Sequence, residues 1–173
     1  MTNNRITIVP AAADAQDKLA LIGAATFLES FAGVIAGEAL LNHCKVQHSP
    51  ETYAHLLAQG AKAWSAELEG APVGYALICE PDLDAARTGD IELKRIYLLS
   101  KFHGSGIASE LFDAVWSGVQ KHARLLLGVK ADNERAIAFY TKLGFEKIAV
   151  RKFNVGGRLY DDLVLARSIQ SEQ

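Results

Sequence analysis

The 173-residue chain is poor in most features that would place it in a special class. It has two cysteines, Cys44 and Cys79. That excludes a disulfide framework and a cysteine zinc site, and the pair reads as small buried thiols suited to a reducing cytoplasm. There is no excess of positive charge: the formal net charge is -2, which gives no support to a nucleic-acid or membrane-surface role. No apolar run is long enough to span a bilayer. The apolar stretch 19–27 follows Asp14, Asp17 and Lys18, which makes a poor signal peptide. His43, His48, His55 and His122 lack metal-ligand spacing. They read as surface residues, and no metal is expected. Half of the chain is apolar and 22% is charged, an ordinary globular balance. The length suits one domain, 1–173, with a sizeable core. A soluble cytoplasmic protein is the expectation.

The hydrophobic pattern predicts an α/β chain. Residues 5–10 alternate and read as an opening strand. Residues 14–31 and 36–44 read as helices. Ser49-Pro50-Glu51 reads as the start of a third helix, with Ser49 as N-cap and Pro50 in the first turn, ending near Gly60. Strands 63–69 and 72–79 form a hairpin at Gly70. A polar loop, 81–89, leads to a long strand, 90–99. Ala108, Leu111, Phe112, Val115, Trp116 and Val119 then mark one face of a helix over 109–123. A buried strand is expected over 125–130, a helix over 133–143 and a final hairpin over 147–166. The first three strands should be antiparallel neighbours. The unit 90–130 should be a parallel crossover.

The chemistry-bearing stretch is His103-Gly104-Ser105-Gly106-Ile107-Ala108. It stands between a strand and a helix, the arrangement that presents free backbone N–H groups to a phosphate. Glycines there let the backbone approach the ligand closely. The Walker lysine is missing, and Ser109 stands where a dinucleotide fingerprint needs its third glycine.

The turn resembles the Gln/Arg-x-x-Gly-x-Gly/Ala motif of the GNAT superfamily of acyl-CoA-dependent N-acyltransferases, with His103 in place of Gln or Arg. The later segment Asn133-Glu134-Arg135-Ala136-Ile137-Ala138-Phe139-Tyr140-Thr141-Lys142-Leu143-Gly144-Phe145 resembles that family's N-x-x-A-x-x-x-Y-x-x-x-G-F pattern. The segment 92–99, Leu127-Gly128-Val129 and Phe153-Asn154-Val155-Gly156-Gly157 resemble the PaiA-like polyamine acetyltransferase branch. That branch's expected close is only partly kept, as Asp161-Asp162-Leu163-Val164-Leu165.

The resemblance implies the GNAT fold: a mixed, mostly antiparallel sheet flanked by helices, with a parallel β-α-β unit that holds the cofactor. It implies acetyl-CoA as co-substrate and a small primary amine, polyamines first, as acceptor. Gly104, Ser105, Gly106, Ile107, Ala108 and Ser109, with His103, would hold the pyrophosphate. The backbone of Ile96, Tyr97 and Leu98 would bind the pantetheine arm and the thioester carbonyl. Asn133 would cap its helix and touch the cofactor. Tyr140 would protonate the leaving thiolate: a thiol has a pKa of about 8.5 and a phenol about 10, so the transfer is feasible. Glu92 is the candidate general base, eleven positions before His103, which is the spacing of the catalytic glutamate in the histone-acetylating branch. Simple strand alternation puts Glu92, Lys94 and Ile96 on one face and Leu93, Arg95 and Tyr97 on the other, unless a bulge intervenes. Glu29, Glu38, Glu80, Asp82 and Asp84 are acids that could attract a cationic amine. Trp64 and Trp116 read as core. No Cys or Ser in these motifs suggests an acyl-enzyme. Other amine acceptors, protein or peptide amines among them, and a CoA-binding regulatory module are the competing readings. A homodimer fits the family.

Overall fold

The computed structural model describes residues 5–169. The elements run β1 (Thr7–Pro10), α1 (Gln16–Phe31), α2 (Gly37–Gln47), α3 (Pro50–Ala58), β2 (Lys62–Leu68), β3 (Ala71–Cys79), β4 (Ile91–Leu98), a 3-10 turn (Ser100–Phe102), α4 (Ile107–Gly118), β5 (Arg124–Lys130), α5 (Glu134–Lys142), β6 (Glu146–Val155) and β7 (Arg158–Ser168). The strands form one sheet in the order β1-β2-β3-β4-β5-β7-β6. Every neighbouring pair is antiparallel except β4–β5, which is parallel. This is the expected mixed sheet with one β-α-β crossover.

The sheet separates two apolar layers. On one face α4 buries Ile107, Leu111, Phe112 and Val115 against Ala76, Ile78, Leu93 and Leu127. Burial of such side chains stabilises by roughly 1.5–3 kcal/mol each, so this face fixes α4 firmly beside β4. On the other face Leu19 and Ile22 of α1 and Tyr53 of α3 pack on Tyr75 and Leu77 of β3. The Ser49 hydroxyl caps α3 by accepting from the Thr52 N–H at 3.1 Å, as the sequence predicts.

Several helix limits differ from expectation: α1 begins at Gln16 rather than at residue 14. α2 continues to Gln47. α4 spans Ile107–Gly118, two residues earlier at its start and well short of residue 123 at its end. It stops where Gly118 meets the Trp64 ring, whose edge would lie 2.7 Å from a Cβ at that position. The chain then turns so that the Ala123 N–H donates to the Gly89 carbonyl at 2.8 Å, which aims β5 alongside β4. The tryptophans are half-buried: Trp64 packs against the core, and Trp116 lies between Phe112 and the Arg167 guanidinium.

Candidate functional site

β4 and β5 pair only at Ile91↔Leu125 and Glu92↔Leu126. Beyond Glu92 the two strands separate, and the β5-facing edge of β4 carries no ladder partner through Ile96, Tyr97 and Leu98. A groove fills the gap, with a cavity of about 590 Å³. It runs from Phe31 of α1, past β4, to His103 and Ala108 at α4 and to Asn133 and Tyr140 of α5.

The bulge that the sequence left open is present. Leu77 pairs with Arg95 but Ile78 pairs with Leu93, so Lys94 is an extra residue. An inserted residue reverses the alternation beyond it. Arg95 and Tyr97 therefore share the α1 face with Glu92, while Leu93, Ile96 and Leu98 share the α4 face. Simple alternation, which grouped Glu92 with Lys94 and Ile96, is corrected here.

At the α4 end, Gly104 and Gly106 have φ values of 77° and 86°, a left-handed region that a side chain with Cβ resists. A Cβ at either position would meet nothing within 4 Å, so the space beside the turn is open. No side chain caps α4, and the first-turn N–H groups of residues 107–109 face outward with the positive end of the helix dipole behind them. Such a surface fits a pyrophosphate. His103 does not point into it. Its Nε2–H donates to the Leu98 carbonyl at 2.9 Å, and its Nδ1 accepts from Arg135 Nη1 at 2.5 Å. An arginine nitrogen can only donate, so the imidazole is the neutral tautomer with its proton on Nε2. His103 thus ties the splayed strand to α5 and holds a guanidinium beside the turn, near where the family's usual Gln or Arg would be. The sequence contains Arg135 within its motif, but the meeting with His103, 32 positions away, is a product of the fold.

Asn133 caps α5 by accepting from the Ala136 N–H at 3.1 Å. One helical face then carries Tyr140 to the groove. Its ring is 8% exposed and packs edge-to-face against Phe139 and Phe145. Burial, with Tyr97 nearby, pushes its pKa well above the ordinary phenol value. The phenol stays protonated at neutral pH and is available as a donor.

The α1 end has a different chemistry. The Tyr53 hydroxyl pairs with Tyr75 Oη and with His48 Nδ1, each at 2.9 Å. Gly23 of α1 makes room for this junction: a Cβ there would lie 2.2 Å from the Tyr53 hydroxyl. His48 is buried, contrary to the surface position expected for it, because Tyr53 and Phe27 enclose it. Burial and then the Arg95 charge push its pKa down to about 3. His43 stacks on Phe27 and is also lowered, first by burial. The Arg95 guanidinium lies over the Tyr53 ring, 5.1 Å from its centroid.

Glu92 is 2% exposed, and its carboxylate accepts from the Asp82 N–H at 2.9 Å. It stands at the closed end of the β4–β5 fork, outside the groove lining. Glu29 is exposed and accepts from the N–H and hydroxyl of Ser100. Glu38, Glu80, Asp82 and Asp84 are also exposed and do not line the groove. The residues that sequence reasoning missed are Arg95 and Arg135. The signal for Arg135 is its place in the α5 motif. Arg95 has none, since the bulge decides its face.

Comparison with known proteins agrees with this geometry. The Acetyltransferase (GNAT) family profile matches residues 33–145. An uncharacterized N-acetyltransferase of Mycobacterium bovis is 31% identical over 160 residues, covering 88% of this chain and 97% of its own length. The fold is similar to that of the PaiA N-acetyltransferase from Thermoplasma acidophilum in complex with coenzyme A, at a TM-score of 0.74 and 17% identity, over 95% of this chain and 99% of that one. It is also similar to the ribosomal-protein-alanine N-acetyltransferase from Brucella melitensis, at a TM-score of 0.71 and 25% identity, over 94% and 99% of the two chains. Among the described residues, no helix is long and apolar enough to cross a membrane. With a splayed β4–β5 pair, an uncapped glycine turn at α4 and a phenol between them, the chain belongs to the GNAT family of acetyl-CoA-dependent N-acetyltransferases.

Proposed function

We propose that the protein acetylates a primary amine by direct attack on acetyl-CoA held in the groove, without an acyl-enzyme. The observation that carries this reading is the position of the Tyr140 phenol, which lines the gap between β4 and β5 in the same cavity as the start of α4. The turn and the start of α4 take the pyrophosphate through the backbone N–H groups of residues 104 and 106–109, since the Ser105 N–H already donates to the Phe102 carbonyl. Arg135 supplies the charged donor that His103 does not. The backbone of Ile96 and Tyr97 takes the pantetheine arm, and Asn133 holds α5 in register. The Leu98 carbonyl is already engaged by His103.

The reaction balances as follows. An ammonium substrate loses one proton to become a nucleophile. Its lone pair forms the C–N bond as the C–S electron pair leaves on sulfur. The sulfur gains a proton from Tyr140, and the second nitrogen proton, lost as the amide forms, restores the phenol. Amide, free thiol and one solvent proton result. Glu92 serves as base through water, because its carboxylate turns toward Asp82 and away from the groove. Direct attack is favoured by the cysteines: neither lines the groove, and burial pushes the Cys79 thiol up to about 11, leaving no thiolate to carry an acyl group.

A polyamine acceptor rests on motif likeness alone. The only carboxylate among the described groove residues is Asp132, and Lys130 pairs with it at 3.0 Å. The test is thiol release from acetyl-CoA across amino acids, lysine peptides, aminoglycosides and spermidine, beside thermal stabilisation by CoA. Stabilisation with thiol release for at least one amine class is expected. Stabilisation without release for any amine would favour a CoA-binding module, and no stabilisation would overturn the reading.

A further inference from the structure

Arg95 lines the groove, and the transfer reaction leaves its chemistry unused. The β4 bulge turns it away from α4 into the aromatic wall of Tyr53, Tyr75 and Tyr97, and it lines the same cavity as Tyr140. Its Nη1 is buried and has no hydrogen-bond partner. None of the ion pairs among the described residues includes it. The neighbours that face it are neutral: burial raises the phenols of Tyr53, Tyr75 and Tyr97, and lowers His43 and His48. A buried cation without a counter-ion is costly. A planar, five-donor guanidinium matches a carboxylate in fork geometry. Since no carboxylate among the described residues pairs with it, the acceptor is the source that accounts for the arrangement.

We propose that the acceptor amine carries a carboxylate that pairs with Arg95, which makes the substrate a small amino acid or related amino-carboxylate rather than a polyamine. This rests on the acetyltransferase reading above. The chemistry is unchanged: the amine nitrogen enters the amide, the thiol leaves, and the carboxylate takes no part in bond making. Arg95 orients the acceptor so that its amine faces the thioester near Tyr140.

The experiment compares each amino acid with its primary amide, with spermidine as a third arm, in thiol-release kinetics. Wild-type kcat/KM should favour the carboxylate form by about 100-fold, the range of a buried charge pair lost on one side. Arg95→Gln should remove that preference by raising KM for the amino acid while KM for acetyl-CoA stays unchanged, and Arg95→Lys should restore part of it. The melting temperature of ligand-free Arg95→Gln should not fall, because an unpaired buried charge has been removed. Equal turnover of acid and amide, preference for spermidine, or an unchanged preference in Arg95→Gln would overturn the inference. If Arg95→Gln fails to fold, the wild-type acid-to-amide ratio and Arg95→Lys still decide. CoA stabilisation with no acetylation of any carboxylate-bearing amine sinks this inference alone; the absence of CoA stabilisation sinks the acetyltransferase reading beneath it.

Discussion

The two ends of the groove differ in how they are built. The α4 end is made of backbone: two left-handed glycines, an uncapped helix start and a carbonyl tied to His103. The α1 end is made of side chains: three rings, His48, Tyr53 and Tyr75, joined through the Tyr53 hydroxyl, and a guanidinium with no ion-pair partner among the described residues. A backbone cradle tolerates any ligand with the right phosphate spacing, and suits a cofactor shared by a whole family. A side-chain wall is particular to one chain, and is where acceptor choice belongs.

The sharpest separation of binding from chemistry is at Tyr140, between the two ends. Tyr140→Phe removes one hydroxyl from a packed ring and should lower kcat by about 100-fold, with KM for acetyl-CoA within about twofold. Steady-state kinetics in acetyl-CoA checks this, and full turnover would remove the phenol from the mechanism. Gly23→Ala strikes the α1 end alone. A Cβ 2.2 Å from the Tyr53 hydroxyl and 2.6 Å from His48 Nδ1 must displace both. It should cost about 2 kcal/mol in a denaturant melt and impair the amine site more than CoA binding.

The α1 end also has its own pH signature. His48 has a folded pKa of about 3 against an unfolded value of about 6.5. Between these values the unfolded chain holds the proton and the folded one does not, so stability is full above pH 6.5 and falls as pH drops toward 3. The slope from this group is at most about 1.4 kcal/mol per pH unit. Denaturation of wild type and His48→Gln at pH 7 and pH 5 should show a smaller loss in the variant, and an equal loss would place His48 in water. The smallest expected effect is Asn133→Ala. Losing the cap on the Ala136 N–H should cost about 1 kcal/mol of stability, read in the same melt, with only modest weakening of acetyl-CoA.

This difference in construction also explains what could be read from the sequence. The glycine turn, the Asn133 cap and the place of Tyr140 on α5 are each set by neighbours within a few positions, so spacing reveals them. The antiparallel first three strands and the parallel crossover after them follow from alternation and turn residues in the same way, whereas the insertion of β7 between β5 and β6 is not set locally. Arg95 and Glu92 escape because one inserted residue, Lys94, decides which face each takes, and the pattern 92–98 looks the same with or without it. His48 escapes because Tyr53 and Phe27, which bury it, come from two separate helices. The guanidinium that accompanies His103 arrives across 32 positions from Arg135, beyond the reach of any local motif.

The division of labour along the groove can be measured directly by determining both KM values for Arg135→Ala and Arg95→Gln side by side. Arg135→Ala should raise KM for acetyl-CoA by about tenfold, the worth of one charge-assisted contact, and leave KM for the amine unchanged. Arg95→Gln should do the reverse. If both substitutions move the same KM, the groove does not have a cofactor end and an acceptor end, and the account fails.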